Sequence, residues 1–129
     1  MSIYYLLFDL DGTLVNTDEI YIEVWNEILN KYNIKCNKIF FNHFIKGKND
    51  SYFLKYILSN INDEDIIKIS ELKDKLFIKK LENKNILLDG VIDFLENNKN
   101  NKIAVVTNCN KKAAEYVLKV TNINTYIDL

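Results

Sequence analysis

An apolar run that ends in two carboxylates and a glycine constrains this chain more than any other stretch. Residues Tyr4 to Phe8 are aromatic or aliphatic without interruption, which is the composition of a buried β-strand. Asp9-Leu10-Asp11-Gly12-Thr13-Leu14-Val15 follows at once. On extended backbone, residues i and i+2 point to the same side. Asp9 and Asp11 are therefore expected to converge at the strand's C-terminal end, where open α/β sheets hold their ligands. Two carboxylates placed there suit Mg²⁺ binding, or a nucleophile beside an acid/base. A plain acidic Asp-Gly turn after a strand would contain the same residues.

Composition narrows the function classes. The 129 residues allow one ordinary domain, or a small core carrying an insert. A hydrophobic content of 48% with 27% charged residues is that of a soluble globular protein. The net charge of −1 gives no field for steering onto nucleic acid or acidic membranes, and the lysines form no basic stripe with interleaved aromatics. Proline, arginine and glutamine are absent while Asn, Lys and Ile abound, as A/T-rich codons produce. Without arginine, a phosphate must be held by lysine, backbone N–H groups or metal. Cys36 and Cys109 form no metal-spaced pair and read as reduced thiols. No export leader or membrane-length apolar run is visible, so the expectation is a cytoplasmic protein without nucleic-acid or membrane partners.

After the first strand, Thr17 can cap a helix, with Asp18 and Glu19 at its positive end. Tyr21, Trp25, Ile28, Leu29 and Tyr32 recur at helical spacing. A second apolar segment carries Ile39, Phe40, Phe44 and Ile45, and Lys46-Gly47-Lys48-Asn49-Asp50 reads as a loop. Ser51 or Asp50 can cap the next helix, with Phe53, Leu54, Ile57 and Leu58. Asn62-Asp63-Glu64-Asp65 resembles a capping box opening a longer helix through Ile66, Ile69, Leu72, Leu76 and on towards Leu81. Residues 16–84 thus read as helices throughout. Afterwards Asp89 or Gly90 starts a short helix through Leu95. Ile103 to Val106 is a wholly apolar strand suited to burial on both faces. Thr107-Asn108-Cys109-Asn110 turns into a helix with Ala113, Ala114, Val117 and Val120, and Tyr126 to Leu129 opens another strand.

Phe-Asp-Leu-Asp-Gly-Thr-Leu-Val-Asn-Thr-Asp, beginning at Phe8, closely resembles the first signature of the haloacid dehalogenase (HAD) superfamily, mostly Mg²⁺-dependent phosphohydrolases. The resemblance implies that Asp9 is a nucleophile forming an aspartyl-phosphate and that Asp11 protonates the leaving group and then activates water. It implies Mg²⁺ at the Asp9 carboxylate and the Asp11 carbonyl. Val105-Val106-Thr107-Asn108 resembles the second signature, an apolar strand ending in a hydroxyl residue. A hydroxyl and an N–H at that place can hold a phosphoryl oxygen beside a helix N-terminus, although Thr-Asn is also an ordinary helix cap. Backbone groups around Leu10 complete the phosphate cradle that the resemblance implies.

The implied architecture is an α/β, Rossmann-like parallel sheet, incomplete, with an inserted helical cap. Residues 1–15 and 85–129 form the core, and 16–84 form a cap like that of the β-phosphoglucomutase and phosphoglycolate-phosphatase branch. Lys48 lies where that branch carries a substrate-selecting loop, though a solvated surface lysine is the plainer reading. His43, beside Phe40 and Phe44, reads as a half-buried packing residue. Thr13 favours phosphatase over mutase, since mutases of the branch often have valine there. The resemblance further implies a lysine and an acidic pair in signatures that would come after residue 129; Lys111 and Lys112 follow the second signature too closely to stand in and read as solvent-facing. The expectation is a Mg²⁺-dependent phosphatase of a small phosphorylated metabolite, with a second polypeptide completing the sheet. The alternatives are a minimal active phosphatase and a catalytically incomplete interaction module.

Overall fold

Two short β-strands and six helices account for most of the chain; the computed structural model describes residues 4–82, 84–107 and 111–128. Strand β1, Tyr5–Asp9, pairs in parallel with β2, Lys102–Val106. The register sets Tyr5 beside Lys102 and Asp9 beside Val106, so both strands deliver their C-terminal ends to one place. The helices are α1 (Asp18–Leu29), α2 (Lys38–Phe40), α3 (Asp50–Ile57), α4 (Asp63–Leu81), α5 (Val91–Asn97) and α6 (Lys111–Val120). The chain divides into two compact units, one of Met1–Thr17 with Leu81–Leu129 and one of Asp18–Lys80.

In the first unit, partners across a parallel register point their side chains to the same face. Leu6, Phe8, Ile103 and Val105 share one face, where Phe8 meets Phe94 of α5 edge-on with ring centroids 5.5 Å apart. Tyr5, Leu7, Ala104 and Val106 share the other, and there Tyr5 is 81%, Leu7 72% and Val106 62% exposed. The expectation that both strands are buried thus holds for one face only. Past Asp9 the chain turns tightly: the Leu10 carbonyl accepts the Leu14 and Val15 N–H groups, and Gly12 N–H donates to the Val15 carbonyl. Asn16 N–H then donates to Ile86 (2.7 Å) and Leu88 N–H to Leu14 (3.0 Å), holding the outgoing and returning chain antiparallel.

After β2, α6 buries Ala113, Ala114 and Val117, as its spacing predicts. The closing segment is a 3₁₀ turn, Asn124–Tyr126, before Asp128 reaches the outer edge of β2. Asp128 donates its N–H to the Ile103 carbonyl, and its carboxylate accepts the Ile103 N–H, each at 2.7 Å. The strand expected from Tyr126 is therefore a single residue's pairing within the described chain.

The second unit holds helices and no strand. Trp25 and Phe53 pack edge to face at 4.7 Å, and Tyr21 stacks on Phe77 at 4.4 Å, tying α1 to α3 and α4. Lys73 of α4 bridges to Asp50 of α3, both largely buried. Asn62 caps α4 by accepting the Asp65 N–H, as the box predicts. Elsewhere the details differ. Helix α1 ends at Leu29 and continues as a 3₁₀ turn, Asn30–Tyr32, which stops where Asn33 takes a left-handed conformation (φ 60°). Asn49, not Ser51 or Asp50, caps α3. The Phe40–Ile45 segment is α2 followed by a π-helical turn, Phe41–Ile45. Among the described residues no helix is long and apolar enough to cross a membrane.

Candidate active site

The C-terminal end of β1 gathers the residues that can do chemistry in the first unit. β1 ends at Asp9, whose side chain is exposed. Asp11 lies beyond the strand, in the turn closed by its bridge to Val15. Strand alternation therefore does not reach it, and the turn sets its direction instead. Gly12 allows that turn with φ +81°, a value side-chain-bearing residues rarely adopt. Leu10 between the carboxylates is fully buried and anchors them from below. Its carbonyl accepts the Leu14 and Val15 N–H groups, which closes the turn that carries Asp11.

Thr17 holds Asp11. Its hydroxyl donates to Asp11 Oδ1 at 2.6 Å, and the residue is 2% exposed. A short hydrogen bond to a carboxylate from a buried donor fixes the acceptor's rotamer. Sequence reasoning gives Thr17 a capping role at α1, which would use the hydroxyl oxygen as acceptor; the hydroxyl hydrogen serves Asp11. A hydroxyl residue six positions after an acidic turn, just before a helix, is the only signal for this in the sequence.

Thr107 follows β2 directly, at the end of the strand that runs beside β1, and is half-buried. The register places it one step beyond the Asp9–Val106 pair. Asn108, the other expected phosphate-binding residue, and Cys109 lie outside the described residues. Lys111 is exposed and pairs with Glu115 at 3.9 Å, on the solvent side of α6 as expected.

Lys48 and His43 belong to the helical unit. The Lys48 ammonium donates to the main-chain carbonyl of His43 at 2.6 Å, closing its own loop. His43 is exposed, not half-buried, its ring set edge-on to Phe44 at 4.6 Å. The π-helical turn, which adds a residue to the helical repeat, shifts it off the packed face. Lys46 pairs with Asp18 in the first turn of α1 at 2.7 Å.

Among the described residues, no three His, Cys, Asp or Glu side chains cluster as a metal site. The Asp9 carboxylate at the end of β1 and the Asp11 main-chain carbonyl two residues on are all-oxygen donors, which fits Mg²⁺, an ion that takes one or two carboxylates and completes its shell with water and phosphate oxygens. They do not fit Zn²⁺, which prefers nitrogen and sulfur ligands.

A family model described as haloacid dehalogenase-like hydrolase matches residues 6–129. Solved structures share the fold. A β-phosphoglucomutase from Clostridium difficile is 25% identical with a TM-score of 0.82, the match covering 98% of this chain and 60% of that one. A HAD hydrolase of family IA, variant 3, from Entamoeba histolytica is 24% identical (TM-score 0.82; 98% and 58% covered). CbbY from Rhodobacter sphaeroides, solved in complex with phosphate, is 20% identical (TM-score 0.76; 92% and 56% covered). The chain thus spans about three-fifths of the length of the structures it resembles.

Proposed function

Because the chain belongs to the family of haloacid dehalogenase-like hydrolases, we propose that it carries the nucleophile of a phosphatase centre that cleaves a small phosphate monoester with Mg²⁺. The observation that carries this reading is the end of β1. An exposed Asp9 stands on the strand, and Asp11 is locked by the buried Thr17 hydroxyl two residues on. One carboxylate is open to attack a substrate; the other is held in one direction, as a proton shuttle must be.

The chemistry runs in two steps. An Asp9 carboxylate oxygen bonds to phosphorus as the ester P–O bond breaks, and the departing alkoxide takes a proton from the Asp11 carboxyl. Water then attacks the same phosphorus and gives a proton to the Asp11 carboxylate. The bond between Asp9 and phosphorus breaks, releasing inorganic phosphate and restoring both side chains. The Thr107 hydroxyl and the Asn108 N–H donate to the phosphoryl oxygens, and N–H groups beside Leu10 serve the opposite side. The Asp9 carboxylate and the Asp11 main-chain carbonyl would hold Mg²⁺, which would supply positive charge to the phosphoryl group. With no arginine in the chain, that charge cannot come from a guanidinium. Lys48 contributes to substrate choice only after leaving its bond to His43. The setting we propose is cytoplasmic, with a small phosphorylated metabolite as substrate.

Hydrolysis of p-nitrophenyl phosphate tests this. The chain with Mg²⁺ is expected to turn it over, EDTA to stop it, and Asp9→Asn to lower the rate by roughly 10³-fold or more. Turnover that survives Asp9→Asn would overturn the assignment.

A further inference from the structure

The helical unit carries a cleft that the chemistry proposed for Asp9 does not use. It lies between the π-helical turn and α3, has a volume of about 210 Å³, and is lined by His43, Phe44, Lys48, Tyr52, Phe53 and Tyr56. π-Helical turns are rare and recur at functional sites, and this one brings His43 to the surface. The lining is aromatic from end to end. His43 meets Phe44 edge-on, the Phe44 and Tyr56 rings lie 6.0 Å apart, and Phe53 is buried. Tyr52 and Tyr56 stand one turn apart on the same side of α3, both largely exposed.

Lys48 gives the cleft its sign. Its ammonium donates to the His43 main-chain carbonyl, which holds it on this wall and leaves two of its three N–H donors for a guest. No carboxylate lines the cleft, and the adjoining Asp50 is bridged to Lys73 of α4. The volume limits what can enter. Cavities of roughly 150 Å³ hold benzene, so this one takes a single ring with one small substituent. We propose that the cleft binds a small aromatic carboxylate, its ring against Phe44, Tyr52 and Tyr56 and its carboxylate on the Lys48 ammonium. An inorganic anion would leave the aromatic walls unused, a bare arene would leave the ammonium unanswered, and a cation would meet Lys48. Sites for small molecules combine aromatic walls with a few placed polar groups in this way. The role keeps Lys48 on His43, unlike a part in choosing the substrate of Asp9, and stands whether or not Asp9 is a nucleophile.

The test titrates benzoate into the whole chain and follows backbone amide shifts by NMR. Saturable shifts are expected among residues 43–56, with a Kd of about 1 mM. Benzamide keeps the shape without the charge, and cyclohexanecarboxylate keeps the charge without the aromatic ring; each should bind about ten-fold more weakly. Lys48→Met and, separately, Tyr56→Ala should weaken benzoate about ten-fold as well, while far-ultraviolet circular dichroism keeps its helical signal. Asp9→Asn should bind benzoate as tightly as the wild-type chain, so that a failure of the phosphatase reading and a failure of this one are told apart. Three results would overturn the proposal: no saturable shift at ~10 mM benzoate, shifts centred on the turn from Leu10 to Thr17, or equal affinity for benzoate and benzamide.

Discussion

Thr17 shows how much of this site rests on a side chain with no chemistry of its own. Buried at 2% exposure, it gives its hydroxyl hydrogen to Asp11 over 2.6 Å. Thr17→Val keeps the shape and removes the donor, so kcat should fall about 10- to 150-fold, the equivalent of ~1.5–3 kcal/mol for a hydrogen bond to a charged group. KM should hold, and Thr17→Ser should recover most of the loss; a Thr17→Val enzyme with unchanged kcat would remove Thr17 from the machinery. Cys36 makes the opposite case. It is buried, and burial pushes its thiol up to about 11. A thiol whose folded value is raised favours the native state below its unfolded value, near 9, and that contribution fades as pH rises to about 11. Iodoacetamide at pH 8 should therefore spare Cys36 in the native chain and label it once urea unfolds the protein. Asp9 and Thr107 stand out in the sequence because each ends an apolar run, and Asp11 because it precedes the Gly12 turn, whereas the Asp11–Thr17 bond depends on how that turn folds back, which no spacing rule encodes.

Among the elements, helices were the more readable. Asn62 before an acidic first turn announces α4, and the structure has its carboxamide oxygen accepting the Asp65 N–H at 2.8 Å. Asn62→Ala should cost about 1 kcal/mol in urea unfolding, the usual loss for a cap. Phe53, 1% exposed and set against Trp25, should cost about 3–5 kcal/mol as Phe53→Ala, enough to loosen the helical unit visibly in the same experiment. Less readable were the places where local chemistry had two solutions. Asn49 outcompeted Asp50 and Ser51 for the cap of α3, and the π-helical turn put His43 into solvent although its neighbours Phe41 and Ile45 are buried. The strands were found by their apolar runs, but an apolar run says nothing about whether both of its faces find cover. Leu7 is the plain instance, a strand leucine that is 72% exposed.

At the scale of the molecule, alternation of strand and helix is enough to indicate an α/β fold with a parallel sheet, and the parallel pairing of β1 with β2 and the family match over residues 6–129 agree. The chain covers about three-fifths of the length of its solved relatives. The chemistry proposed for Asp9 is nevertheless local to one turn and leaves a covalent mark. Trapping that mark is the most direct measurement: the chain is incubated with p-nitrophenyl phosphate and Mg²⁺, acid-quenched, reduced with borohydride and mapped by peptide mass spectrometry. The account predicts the reduction product of an aspartyl-phosphate at residue 9, absent from Asp9→Asn and enriched in Asp11→Asn, where water is no longer activated. A mark on any other residue, or hydrolysis by the wild-type chain that continues undiminished in Asp9→Asn, would contradict it.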